Sequence, residues 1–206
     1  MTYAGDVTQE EDVASTYRQI VADLGPLSGA INNAGITLDG LLVKFKDGAF
    51  EKKMSLEDWQ AVININLTGV FLCGREAAQL MIESESKGVI INISSIARHG
   101  NFGQTNYSAT KAGVQAMAVV WAKELSRYGI RVNSIAPGFI NTEMVAAMPD
   151  KVKEGLAAMN PLKRIGEPEE VARLMMFLSS DESSFCNGGV YMVDGGTSAG
   201  QNSFGR

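Results

Sequence analysis

Four short bursts of apolar, mostly β-branched residues recur along the chain with long amphipathic stretches between them: GAIN (29–32), GVIINIS (88–94), IRVNSIA (130–136) and GVYMV (189–193). This alternation is the feature that most restricts the fold. A continuous apolar run of this length reads as a strand buried on both faces, and parallel strands need a crossover of about a dozen residues or more, usually a helix. The pattern therefore predicts an α/β protein with a parallel sheet. At 206 residues, 45% of them apolar, the chain suits one domain with one core.

Helical periodicity fills the intervals. TQEEDVASTYRQIVADLG puts Val13, Tyr17, Ile20, Val21 and Leu24 on one side and stops at Gly25, a natural helix terminator. A longer helix is expected to open at Ser55, with Asp58 three residues on, and to run through WQAVININLTGVFLCGREAAQLM. Another is expected from about Gln104 to Ser126. A last one lies in GEPEEVARLMMFLSS, where Pro168 suits the first helical position and the glutamates suit the positive end of the helix dipole. Two segments read as irregular. Residues 36–53 contain glycine and many charges and are expected to form a loop or hairpin. Residues 138–166 carry Met144, Met148 and Met159, either as fillers of core gaps or as an adaptable lid over an apolar ligand.

Composition excludes several functions. The net charge is −5 and the longest basic run is Lys52–Lys53, so there is no electrostatic footprint for nucleic acid or for an anionic membrane. Cys73 and Cys186 are the only cysteines and read as reduced thiols of a cytoplasmic protein; no metal-ligand spacing occurs. The N-terminal residues have no apolar leader core, and no stretch approaches a membrane span.

NYSATKAGV (106–114) places Tyr107 and Lys111 four residues apart, neighbours on one helix face. A free phenol titrates near 10, and a cation at this distance favours its ionised form, so the pair has the makings of an acid–base unit. Alone this spacing is weak evidence. It stands, however, in an ordered set: NNAG (32–35) ends the first burst, NISS (92–95) the second, PGFINT (137–142) follows the third, with Asn66 in ININLTGVF and VDGG (193–196) near the end. Together these motifs resemble the short-chain dehydrogenase/reductase family, and within it the 3-oxoacyl-acyl-carrier-protein reductase type, across essentially the whole chain.

The resemblance implies a Rossmann-like doubly wound parallel sheet with NAD or NADP as cofactor, NADP slightly favoured. The substrate would be a small carbonyl compound or acyl thioester, and the assembly a homo-oligomer, dimer or tetramer. It implies that Tyr107 is the proton donor, that Lys111 also binds the nicotinamide ribose, and that Asn66 anchors a water behind the lysine. Asp6 and Val7 would meet the adenine, Asn33, Ala34 and Gly35 the adenosine ribose, and Ile140 and Thr142 the nicotinamide carboxamide, with Pro137 and Gly138 beside them. Residues 138–166 would be the substrate lid. Of the two serines in NISS, counting back from Tyr107 favours Ser94. Strand register counted from Gly88 favours Ser95, and because a following loop drops a residue more cheaply than a strand shifts register, Ser95 is chosen and Ser94 read as a buried hydroxyl bonded to backbone. His99, the single histidine, reads as a rim residue; Arg98 is a candidate for an anionic substrate tail.

The family begins with a strand, a glycine-rich turn and a helix that hold the pyrophosphate, and no such motif occurs here before residue 30. The expectation is an N-terminally truncated fold lacking the first βαβα units, with GAIN left as an exposed edge and Val13, Ile20 and Val21 partly uncovered. Two functions follow: an oxidoreductase, or a catalytically silent fragment that works only through its oligomerisation helices.

Overall fold

In the computed structural model, which describes residues 1–199 and only the backbone of Met144, the elements run α1 (Glu10–Leu24), β1 (Gly29–Asn32), β2 (Val43–Lys46), β3 (Ala49–Lys53), α2 (Leu56–Ile63), α3 (Val70–Glu83), β4 (Gly88–Ile93), α4 (Thr105–Leu125), β5 (Ile130–Pro137), α5 (Glu143–Ala146), α6 (Asp150–Met159), α7 (Pro168–Ser179) and β6 (Val190–Val193). The four apolar bursts pair in parallel in the order β1-β4-β5-β6. β2 and β3 form a separate antiparallel hairpin within the segment 36–53. Its turn, Asp47-Gly48, has positive φ at both residues, the geometry that lets a two-residue turn match the twist of its strands.

The two central strands, β4 and β5, are covered on both faces, which is why they are apolar without alternation. Ile90, Ile130 and Val132 join Ala77, Ala78 and Met81 of α3 and Ala118 and Ala122 of α4 on one face. Val89, Ile91, Ile93 and Ile135 join Val171 and Leu178 of α7 on the other. Adjacent residues of β4 thus serve opposite layers, and burying each such aliphatic side chain contributes about 1.5–3 kcal/mol. α7 begins as expected, with Pro168 in its first turn and a reciprocal capping box between Glu167 and Glu170.

Three features differ from the sequence reading. The helix opening at Ser55 is not regular throughout: its middle, Asn64–Gly69, is a π-helical turn between α2 and α3. Val13 is fully packed, 4% exposed, because α1 lies against α3; Ile20 and Val21 remain half-buried. Met159 is 69% exposed, so it fills no core gap, while Met148 is half-buried and the Met144 side chain lies outside the described part. β1 has a neighbour on one side only, β4, and Ile31 faces out at 47% exposure. No helix among the described residues is long and apolar enough to cross a membrane.

Candidate active site

The carboxyl ends of β1, β4 and β5 and the first turns of α4 surround a cleft of about 620 Å³. Open parallel sheets place ligands at this end of their strands. Tyr107 and Lys111 line it together, as their i,i+4 spacing on α4 requires, with the lysine Nζ 5.6 Å from the centre of the phenol ring. Lys111 is 3% exposed and is tied to the end of β4 twice. Its Nζ donates to Ile93 O at 2.7 Å, and its own backbone O accepts from Ser94 Oγ at 2.8 Å. Burial lowers the ammonium's pKa to about 8.

Tyr107 titrates above the usual phenol value. Burial is the main cause, the Ser95 hydroxyl beside it pulls the other way, and the Asp39 carboxylate adds to the rise. The phenol therefore stands as a neutral acid, whereas the lysine alone was expected to bring it down. The reason is geometric: the ammonium turns to Ile93 O and lies over the ring face, so its charge does not offset the desolvation of the oxygen.

The two serines diverge as strand alternation demands. Ser94 is 2% exposed and spends its proton on Lys111 O; Ser95 is half-buried beside Tyr107. Ser95 also starts a short 3₁₀ turn, Ile96–His99, where its Oγ accepts from Ala97 N at 3.1 Å. With that lone pair taken, the Ser95 O–H is left as the donor that faces the Tyr107 oxygen at the cleft.

Asn66 is fully buried in the π-helical turn. Its Oδ1 accepts from Ile36 N and its Nδ2 donates to Ile36 O, both at 2.8 Å, so the amide acts as a strand neighbour for the loop after NNAG. That loop is held close: a Cβ on Gly35 would sit 3.4 Å from Asn66 Oδ1 and 3.6 Å from Lys111 Nζ. The expected Asn66–Lys111 neighbourhood is thus present, centred on Gly35, with the Asn66 side chain committed to backbone.

Pro137, Gly138, Ile140 and Thr142 line the far wall of the same cleft. Gly138 is required there, since a Cβ would come within 2.8 Å of Asp194 Cα in the VDGG turn. Asp6, Val7 and Ala34 lie elsewhere, in a second cavity of about 250 Å³, and Asn33 borders both. Ile31 is also shared, so the two cavities adjoin at the end of β1. The Asp6 carboxylate accepts from Thr8 N and Thr8 Oγ1, which holds its pKa low and fixes the entry to α1. The residues suit the two ends of a dinucleotide: adjoining cavities, and in the larger one a glycine backbone beside a buried ammonium and an apolar wall. From 138–166 the described residues that reach the cleft are Gly138, Phe139, Ile140, Thr142 and Val145; the described methionine on it is Met175 of α7.

Other contacts carried no sequence signal. Asn106, fully buried, donates to Leu38 O at 2.9 Å and accepts from Tyr107 N at 2.8 Å, locking the start of α4. Gln104 donates to Asp39 Oδ2 at 2.9 Å, which fixes the carboxylate that acts on Tyr107. Arg98 does not line the cleft. It donates to Ser95 O at 3.1 Å and to Met192 Sδ at 3.2 Å, bracing the serine's turn instead of offering an anion site. His99 is exposed on that turn. The described residues contain no cluster suited to a metal ion.

Comparison with known proteins accords with this geometry. Residues 1–198 match the family described as enoyl-(acyl carrier protein) reductase, and the chain belongs to the short-chain dehydrogenase/reductase family, a class of NAD(P)-dependent oxidoreductases. Among individual relatives, it is 45% identical to the 3-oxoacyl-[acyl-carrier-protein] reductase FabG of Thermotoga maritima over 94% of this chain and 75% of that protein. It is 43% identical to the acetoacetyl-CoA reductase of Shinella zoogloeoides, over 94% and 77%. A crystal structure assigned as a gluconate dehydrogenase from Agrobacterium tumefaciens superposes with a TM-score of 0.84 at 32% identity, covering 93% of this chain and 73% of that one.

Proposed function

We propose that the chain serves a reductase acting on a 3-oxoacyl thioester or a similar small ketone, with Tyr107 as general acid. The observation that carries this reading is the pairing of two hydroxyls, Tyr107 Oη and Ser95 Oγ, on one cleft wall with a buried ammonium behind them. A carbonyl oxygen accepts two hydrogen bonds and gathers negative charge as its carbon is reduced, so two donors aimed at it stabilise the transition state. A ketone puts that oxygen on the very carbon that takes the hydride, whereas an enoyl thioester gathers its charge on the thioester oxygen two carbons away, so two donors beside one reacting carbon favour the keto substrates named for the relatives.

A nicotinamide dinucleotide, when bound, supplies the hydride. Ser95, its lone pair held by Ala97 N, orients the ketone oxygen; Tyr107, neutral by burial, gives its proton to the forming alkoxide. The departing proton leaves a phenolate near Lys111, whose ammonium is then the stabilising charge and the next donor toward solvent. Lys111 would also hold the ribose hydroxyls, Ile140 and Thr142 the carboxamide, and Asp6, Val7, Asn33 and Ala34 the adenosine end, with Gly35, Pro137 and Gly138 letting the ligand lie close to backbone. Asn66 positions the loop of Gly35. NADPH is the reductant we expect first, in the cytoplasm, and 138–166 is the region expected to close over substrate.

The test is NADPH oxidation with acetoacetyl thioesters against a panel of sugars, gluconate-type acids and steroids. Preference for the thioesters supports the reading, and preference for the sugar acids refutes it.

A further inference from the structure

Arg98 stands three residues after Ser95, and neither the cleft nor the apolar core accounts for it. Its side chain is half-buried in the turn Ile96–His99 and is not part of the cleft wall. The guanidinium makes two contacts. Nη1 donates to Ser95 O at 3.1 Å, the carbonyl that also accepts from the Arg98 backbone N at 3.2 Å, and Nη2 donates to Met192 Sδ at 3.2 Å. Met192 belongs to β6, which lies beyond β5 in the sheet order. The side chain therefore ties the turn after β4 to a strand two places away.

This arrangement is a poor device for stability. No carboxylate among the described residues pairs with the guanidinium, and a thioether is a weak acceptor. Nε–H is buried with no hydrogen-bond partner among the described residues, so it has given up water for nothing. An aliphatic side chain of similar reach would fill the space without that penalty, and a buried polar group of this kind calls for a reason other than packing. The reason lies in what the arginine holds. Ser94 N still donates to Ile135 O, at 2.7 Å, whereas Ser95 is the first residue beyond the ladder of β4 and β5. Its carbonyl is clamped by the backbone and the side chain of Arg98 together, while Ala97 N fixes its Oγ at 3.1 Å. A donor that must meet a developing charge works only if it is held in place beforehand.

We propose that Arg98 is a positioning residue that acts through Ser95, holding the serine's backbone so that its hydroxyl meets the ketone oxygen beside Tyr107. The proposal rests on the reading of Ser95 as a donor to that oxygen. Arg98→Met, Ser95→Ala and the double variant are compared with the wild type. Methionine keeps the aliphatic reach and removes the donors, so kcat should fall about tenfold while KM for acetoacetyl-CoA and the affinity for NADPH stay near their wild-type values. The melting temperature should stay level or rise. Full activity overturns the proposal, and so does a loss that comes with a lowered melting temperature. In the Ser95→Ala background Arg98→Met should change nothing further; additive losses overturn action through the serine. Met192→Leu removes only the sulfur acceptor and should cost about twofold in kcat. If Arg98→Met fails to fold, this variant, made with and without Ser95→Ala, carries the same cycle.

Hydrogen exchange separates the brace from the choice of substrate. In Arg98→Met the amides of residues 95–100 should exchange about tenfold faster, with those of β4 and α4 unchanged. A wild type that reduces no ketone rejects the ketone-reductase reading, and exchange then decides whether Arg98 holds the turn. Unchanged exchange there overturns the proposal whatever the substrate.

Discussion

At the scale of single residues the site depends on which protons are held where. Tyr107→Phe keeps the ring and removes the acid, so in the cofactor-competent protein carbonyl reduction should fall by about 10²–10⁴-fold while NADPH affinity stays nearly constant. Lys111→Met should reduce both, and equal loss of NADPH affinity in the two variants would refute the division of roles. Lys111 also sets a pH dependence. Its folded pKa, about 8, lies below the unfolded value, so the unfolded chain holds more protons between the two and stability rises with pH through that window. Cofactor binding should move the opposite way, weakening above about pH 8 as the ammonium is lost, which NADPH fluorescence titrations would register. Ser95→Ala should cost more activity than Ser94→Ala. The latter removes a buried bond to Lys111 O and should show mainly as about 1 kcal/mol of lost stability in denaturant melts. Tyr107 and Lys111 were legible in the sequence because their contact is local. Asp39 and Asn106 were not, because they act through pairings such as Asn106 with Leu38, 68 residues apart, that exist only once the loop after NNAG has folded back.

Elements follow the same division. The strands were legible from their apolar runs, and the hairpin as one of two options for a charged, glycine-bearing segment. The π-helical turn at Asn64–Gly69 was not, because ININLTG has good helical periodicity and nothing in it announces an extra residue per turn; the bonds of Asn66 to Ile36 reveal what the turn presents. Close packing of α3 on α4 is likewise hidden in one glycine. A Cβ on Gly74 would lie 2.5 Å from Trp121 Cζ3, so Gly74→Ala must displace the indole. We expect a loss of about 1–3 kcal/mol and a changed Trp121 fluorescence, read against Trp59 as the only other tryptophan. An unchanged melt would show that the helices separate freely.

For the molecule as a whole, the α3–α4 face and the β1 edge predict different kinds of association. On the α3–α4 surface Phe71, 41% exposed, lines a groove with Trp121, and Val120 of α4 is 49% exposed. Val70 and Val114 of the same two helices are buried and add nothing to this face. A helix face of this kind makes closed pairs, so light scattering should plateau at a dimer or tetramer. The β1 edge, with Ile31 outward, is open-ended and should give concentration-dependent aggregation that Ile31→Lys suppresses. Persistence of aggregation after that substitution would refute the edge as its source.

The hairpin has a consequence for proteolysis. Four lysines on an exposed ribbon are four cleavage points for trypsin, on the kind of projecting segment where nicking concentrates. Brief digestion should cut there first. The nicked halves should stay associated, because β1 remains paired with β4 and Ile36 with Asn66. The ribbon would thus be severable on its own: a cut that parts the hairpin and leaves the cleft intact without changing a single side chain.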